Sequence, residues 1–276
     1  MEIKLIAFDL DGTALDSNKN IPHINIEYLE KAAEKGIHIV PSTGRFYKAI
    51  PDCIRTLPFV RYAITINGSE VVDTRTGESI YGSRIPLAKA LELLDMCESL
   101  GVAYDCYVNN LGYMSSHHID NIEDYLDSPV YCDTVRKMRI PVEDLREFVK
   151  KLGADPQKIQ LFTRNIDILK RTSALLNGTC PDLIATTSLK NNLEINNAEG
   201  NKGEGLRRLA SYLNISMDEV MAVGDGGNDA TMLSVSGVPV AMENGLDKLK
   251  QIAVFTTLSN DDGGLGYAIK KLIFKE

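Results

Sequence analysis

The chain lacks closely spaced cysteines, basic runs and long apolar stretches, and each absence removes a class of function. Its five cysteines, Cys53, Cys97, Cys106, Cys132 and Cys180, are odd in number and show no C-x-x-C spacing. Zinc clusters and disulfide frameworks need closer or paired thiols, so these read as buried free cysteines. The net charge is −8 and no Lys/Arg run appears. A nonspecific nucleic-acid binder needs a basic face to displace counterions, so nucleic acid is not expected as a partner. No segment approaches the ~20 apolar residues that span a bilayer, so no membrane partner is expected either. The early run Leu5-Ile6-Ala7-Phe8 is too short for a signal-peptide core and no small-residue cleavage site follows it. A cytoplasmic location is the expectation. Repeats and low-complexity segments are absent, and nothing in the sequence speaks to oligomeric state.

What is present is an α/β rhythm. Ile3–Phe8 reads as a buried strand ended by Asp9-Leu10-Asp11-Gly12-Thr13. Ile24–Lys35 has helical periodicity with Gly36 as its C-cap. Ile37–Val40 is a second strand broken by Pro41-Ser42-Thr43-Gly44. Residues 45–54 can be helical, and Tyr62–Ile66 is a third strand closed by Asn67-Gly68. Such alternation predicts a parallel sheet covered on both faces.

From about Tyr81 the pattern changes to an α+β unit. It has helices over 87–100, 142–152 and 166–177, and strands over 103–108, 158–162 and 183–187. The α/β rhythm returns with Leu193–Ile195, helical Lys202–Leu213, and Glu219–Val223 before Gly224-Asp225-Gly226-Gly227-Asn228-Asp229. The expected layout is a discontinuous Rossmann-like parallel-sheet core, residues 1–82 and 189–276, interrupted by an α+β domain over 83–188.

Asp9 and Asp11 directly follow one strand, Asp225 and Asp229 another, and Thr43 a third. In an open parallel sheet, groups just beyond the carboxyl ends of strands converge on one crevice. Carboxylates brought together raise each other's pKa, and a divalent cation removes that conflict. Oxygen-only ligands select a hard ion, which favours Mg²⁺ over zinc. The same cation lets a phosphate approach an ionised Asp9. Lys202 can add positive charge, and backbone N–H groups near Gly12 and Gly44 can cradle phosphoryl oxygens.

Blander readings exist for each piece. Asp-x-Asp-Gly alone is first a turn. An EF-hand fails because a strand precedes the loop and later acids are misplaced. In Gly224–Asp229 an aspartate holds the third-glycine position of a dinucleotide loop, and a Walker loop is absent. His117-His118 are chain neighbours that point apart, so a two-histidine metal clip is not expected. Arg45 reads equally as a rim contact or a helix-surface ion pair, and Asn67-Gly68 as a turn before an active-site neighbour. It is the joint occurrence of all pieces at strand ends that argues for a site.

Asp9-Leu10-Asp11-Gly12-Thr13 resembles motif I of the haloacid dehalogenase superfamily. Thr43-Gly44-Arg45 resembles motif II, Lys202 motif III, and Gly224–Asp229 motif IV. Their order, with a long insert between the second and third, resembles the Cof-type (subclass IIB) sugar-phosphate phosphatases and implies a C2-type cap that gives substrate specificity. The resemblance implies Asp9 as nucleophile and Asp11 as general acid–base. It implies Mg²⁺ held by Asp9, the Asp11 backbone carbonyl and Asp225, with Asp229 in or beside the metal shell. Thr43, Lys202 and Asn228 would hold the phosphoryl group, helped by backbone N–H groups near Leu10 and Gly44. The substrate would be a small phosphorylated metabolite. The alternatives are a phosphotransferase or phosphomutase on the same scaffold, or a catalytically silent ligand-binding homologue.

Overall fold

A computed structural model describes residues 2–276. In chain order the first strands are β1 (Leu5–Phe8), β2 (His38–Pro41), β3 (Tyr62–Thr65), β4 (Glu70–Asp73) and β5 (Ser79–Gly82). Six follow in the middle of the chain: β6 (Ala103–Val108), β7 (Leu111–Ser115), β8 (Arg139–Val142), β9 (Lys158–Phe162), β10 (Leu183–Thr186) and β11 (Asn192–Asn197). The last are β12 (Val220–Gly224), β13 (Val238–Ala241) and β14 (Phe255–Thr256). The chain divides into two compact units, one of residues up to Gly82 together with Asn201–Glu276, the other Ser83–Gly200.

The first unit is built on a parallel sheet of order β14-β13-β12-β1-β2. Strands buried on both faces must be apolar throughout, and β1 is LIAF with every residue buried. Its side chains alternate. Ile6 and Phe8 pack with Tyr28, Leu29 and Ala32 of the helix His23–Glu34, and with Leu265 and Ile269. Leu5 and Ala7 pack on the opposite face with Leu206 and Leu209 of the helix Lys202–Tyr212, and with Met232 and Leu233. One run of four residues thereby joins both helical layers to the sheet.

The second unit has a six-stranded mixed sheet of order β10-β11-β9-β6-β7-β8. One face is apolar: Tyr104, Cys106, Ile159, Leu161, Leu193 and Ile195 pack under the helices Leu87–Ser99, Leu145–Leu152 and Ile166–Thr179. The fold is the expected α/β one, a Rossmann-like core with a mixed-sheet cap inserted in the chain.

Three local expectations are corrected. Leu193–Ile195 does not resume the core: β11 pairs antiparallel with both β9 and β10, so the second unit runs to Gly200 rather than ending at 188. A short apolar strand carries no mark of which sheet it joins. Strand β3 forms an antiparallel ribbon with β4 and β5 and meets the parallel sheet only through a bridge between Ser42 and Ile64. Positive φ at Ile66, Asn67 and Gly68 reverses the chain there. Residues 45–54 hold only a 3₁₀ turn, Tyr47–Ala49, and the start of a short helix, Asp52–Arg55. Pro51 cannot donate a helical hydrogen bond and separates them.

Candidate active site

Asp9 extends the ladder of β1 by one bond, its N–H donating to the Val223 carbonyl at 3.0 Å. The chain then turns: the N–H groups of Ala14 and Leu15 donate back to the carbonyls of Asp9 and Leu10 at 3.2 and 2.9 Å. Gly12 has φ +89°, and a Cβ there would lie 2.8 Å from the Asp225 carboxyl carbon. Glycine is thus required both by the backbone and by the approach of Asp225. The Thr13 hydroxyl donates to Asp225 Oδ1 at 2.7 Å and ties the two motifs together.

Asp229 ends the 3₁₀ turn Gly227–Asp229 that follows β12. Its Oδ2 accepts the N–H groups of Asp225 and Gly226 at 2.9 and 2.8 Å. Its Oδ1 accepts from Lys202 Nζ at 2.6 Å, and the same ammonium donates to Asp9 Oδ1 at 2.5 Å. Lys202 opens a helix N-capped by Asn201, whose side chain accepts from the Glu204 N–H at 2.9 Å. The absent side chain of Gly203 lets that helix close on Thr231, so the lysine is delivered fully buried to the carboxylates. One carboxylate oxygen from each of Asp9, Asp225 and Asp229 lies within 4.8 Å of the other two.

Asp11 turns the other way. Arg45 grips it with both ends of its fork, Nε to Oδ2 and Nη2 to Oδ1, each at 2.8 Å, and Lys19 Nζ adds a bond to Oδ1 at 2.8 Å. Leu10 is buried in the core, so only its backbone is available. Thr43 stands buried at the end of β2 with Gly44 next to it. Its N–H donates to the Ile64 carbonyl at 2.9 Å and its hydroxyl accepts from the Arg45 N–H at 3.2 Å. Asn228 is joined not to the carboxylates but to Asn67, donating to its Oδ1 at 3.0 Å.

The structure therefore brings Asp9, Asp225, Asp229 and Lys202 into direct association and sets the Asp11 side chain apart from the three carboxylates. Thr13 and Lys19 were not singled out as site residues by the sequence, and Asn67 was read first as a turn and only second as an active-site neighbour. Thr13 was legible as part of the first turn, Lys19 reaches back eight residues to Asp11, and Asn67 acts through a contact distant in sequence. Arg45 makes an ion pair, as one of its two readings required, but from a bend at the rim rather than a helix surface.

Burial pushes the Asp9 carboxyl well up, against the pull of Lys202 and with help from Asp229, Asp225 and Asp11. Burial, then Asp229, lifts Asp225 to about 7. Lys202 is held charged: burial disfavours its ammonium, but Asp229 and Asp9 outweigh that. For Asp11 burial is likewise overcome, here by Arg45 and Lys19, so its carboxyl stays well below the ordinary range. One lysine facing two buried carboxylates and one half-buried one leaves negative charge uncompensated, and the donors are all hard oxygens. That combination fits a divalent cation. Asp229 already has both oxygens committed, whereas Asp9 keeps one oxygen free of Lys202.

The model of the haloacid dehalogenase-like hydrolases matches residues 6–269. The chain belongs to that family. Among relatives, it is 29% identical to the phosphatase YwpJ of Bacillus subtilis, over 98% of this chain and 100% of that one. It is 28% identical to the 5-amino-6-(5-phospho-D-ribitylamino)uracil phosphatase YitU of the same organism, covering 98% of each. Among solved structures, a haloacid dehalogenase-like hydrolase from B. subtilis superposes with a TM-score of 0.86 at 28% identity, covering 98% of this chain and all of that one. The chain is thus an enzyme of the phosphatase type, with the fold of the Cof-type, subclass IIB members. Among the described residues no helix is long and apolar enough to cross a membrane.

Proposed function

We propose that this chain is a Mg²⁺-dependent phosphomonoesterase of small phosphorylated metabolites, most simply sugar phosphates, working through an aspartyl phosphate on Asp9. The observation that carries this reading is the cluster of Asp9, Asp225 and Asp229, two of them bonded to the buried Lys202. A phosphomonoester is a dianion at neutral pH, and such a cluster can receive it only with further positive charge.

The cation would be held by Asp9, Asp225 and the Asp11 backbone carbonyl, and when bound it supplies charge neutralisation for the incoming phosphoryl oxygens. Asp229 acts beside it, orienting Lys202 and the Asp225 turn. An Asp9 oxygen attacks phosphorus in line, and the phosphorus–alkoxide bond breaks as the phosphorus–carboxylate bond forms. Asp11 gives its proton to the departing alkoxide. It then takes a proton from the water that attacks phosphorus, and the bond to Asp9 breaks to release phosphate. Paired with Arg45 and Lys19, Asp11 is set up as the base; to serve as the acid it must first part from them. Lys202, Thr43 and Asn228 hold the phosphoryl oxygens together with backbone N–H groups at Leu10 and Gly44.

The test is incubation with Mg²⁺ and p-nitrophenyl phosphate in the absence of any acceptor. Phosphate and nitrophenol released in equal amounts support hydrolysis. Turnover only when a second alcohol is added supports the phosphotransferase or phosphomutase alternative. No phosphate from any of a broad metabolite panel supports a silent binding homologue.

A further inference from the structure

The turn that follows β3 does more than reverse the chain. Ile66, Asn67 and Gly68 all have positive φ, at 51°, 58° and 94°. A β-branched residue in that region is rare and strained, and such strain persists where the surrounding contacts over-determine it. The turn is buried, with Asn67 3% exposed. Nothing in the proton and phosphoryl transfers at Asp9 and Asp11 calls for it.

Its contacts reach three segments that are separate in sequence. The Ile66 N–H donates to the Arg45 carbonyl at 2.9 Å and the Asn67 N–H to the Thr43 carbonyl at 3.0 Å, so the turn holds both flanks of Gly44. Gly68 lies against the start of the Lys202 helix: a Cβ there would come within 2.1 Å of the Asn201 carbonyl oxygen and 2.9 Å of the Lys202 nitrogen. The Asn67 side chain reaches the third segment, its Oδ1 accepting from Asn228 Nδ2 at 3.0 Å. All of these residues belong to the first unit.

Of these contacts, the bond to Asn228 has a direction that matters. An amide has a donating end and an accepting end, and a half-turn of its plane exchanges them. A site for an anion needs the donating end, because the carbonyl oxygen repels negative charge. Asn228 Nδ2 carries two hydrogens; one goes to Asn67 and the second remains able to donate. The carbonyl end is turned toward Gly226, where a Cβ would lie 2.9 Å from Asn228 Oδ1. Were the amide to turn over, its oxygen would face the Asn67 oxygen, two acceptors with no hydrogen between them.

We propose that Asn67 is a positioning residue for phosphoryl transfer that acts through Asn228, holding its amide so that the second N–H serves a phosphoryl oxygen. It does so from a turn that also anchors the segments of Thr43–Arg45 and Asn201–Lys202. Asparagine suits the place because it tolerates left-handed backbone and still offers an acceptor. The proposal deepens the phosphatase reading and rests on it for its kinetic arm. Its binding arm needs only that Asn228 helps to hold phosphate.

The experiment is a double-mutant cycle of Asn67→Gly and Asn228→Ala in the full chain. Glycine adopts the left-handed backbone without strain, so Asn67→Gly deletes the amide and keeps the turn. Kinetics are read below the onset of melting of all four proteins. With Mg²⁺ and p-nitrophenyl phosphate, Asn67→Gly is expected to lower kcat/KM about tenfold, the effect of one well-placed hydrogen bond. Asn228→Ala should lose at least as much, and adding Asn67→Gly to it should change kcat/KM by less than about twofold. The binding arm measures the rise in Tm that inorganic phosphate gives in the presence of Mg²⁺. That rise should shrink in Asn67→Gly, and be no smaller in the double variant than in Asn228→Ala. A residue that only props the fold would give losses that multiply. Multiplying losses, or wild-type kcat/KM in Asn67→Gly, overturn the proposal. If the wild type releases no phosphate from any ester, the phosphatase reading fails alone and the binding arm decides this one; a wild-type Tm that inorganic phosphate does not raise would then overturn it too.

Discussion

The carboxylates gathered near Lys202 in the first unit sit on turns at strand ends, whereas Asp105 and Glu194 in the second sit in the middle of strands. Asp9, Asp225 and Asp229 leave the sheet where backbone N–H groups and a lysine can reach them, and two of Asp229's bonds come from its own turn. Asp105 and Glu194 lie within β6 and β11, where the backbone is committed to the ladder and each carboxylate depends on a side chain from another strand. A turn can gather charge for chemistry because it bends around a reacting group. A strand interior presents fixed points at the sheet spacing, which suits pairing between side chains of neighbouring strands. On the proposed function the turn carboxylates of the first unit carry the reaction, whereas those of the second are held in pairs with Arg139 and Lys158.

That division can be broken most severely at Asp9. Asp9→Asn is expected to abolish phosphate release while leaving the melting temperature close to that of the wild type, because the change is nearly isosteric. Substantial residual turnover would take the nucleophile out of the first unit. Asp11→Asn is expected to slow turnover by roughly 10²–10⁴-fold, the usual contribution of a general acid–base, on every substrate alike. A loss confined to esters with poor leaving groups would sharpen the assignment to the acid step, and an unchanged rate would remove it.

A smaller effect concerns the metal. The Asp225 carboxyl is lifted by burial and Asp229 to about 7 from an ordinary value of 3.8. A raised carboxyl contributes stability that is complete below its unfolded value and is lost as pH rises through its folded one. Between about pH 4 and 7 the metal-free protein therefore loses this contribution, while a cation that binds the ionised carboxylates offsets the loss. The gain in Tm on adding Mg²⁺ is expected to be larger at pH 8 than at pH 5. Equal gains at both would mean that Asp225 is not a ligand.

The same contrast explains what was legible in the sequence. The first unit's site could be read because its residues come in short contiguous runs after apolar strands, and a turn keeps its neighbours in space. Lys202 stood alone, yet its place at a helix start was visible from Gly200 and the periodicity that follows. The ion pair of Asp11 with Arg45 was only half legible, since the path of residues 45–54 depends on packing and on Pro51 rather than on helical periodicity. The polar row of the second unit was invisible. Asp105, Gln160 and Glu194 are far apart in sequence and meet only through strand register, and β11 itself looked like a core strand. Sheet order is settled by long-range pairing, which local pattern does not encode.

The central claim is a covalent bond between phosphorus and Asp9. Acid quenching of the enzyme during steady turnover of a labelled phosphomonoester, followed by peptide mass mapping, tests it directly. The account predicts a phosphoryl group on the peptide bearing Asp9, absent from Asp9→Asn. A phosphoryl group on any other residue, or continued turnover by Asp9→Asn with none trapped, would contradict it.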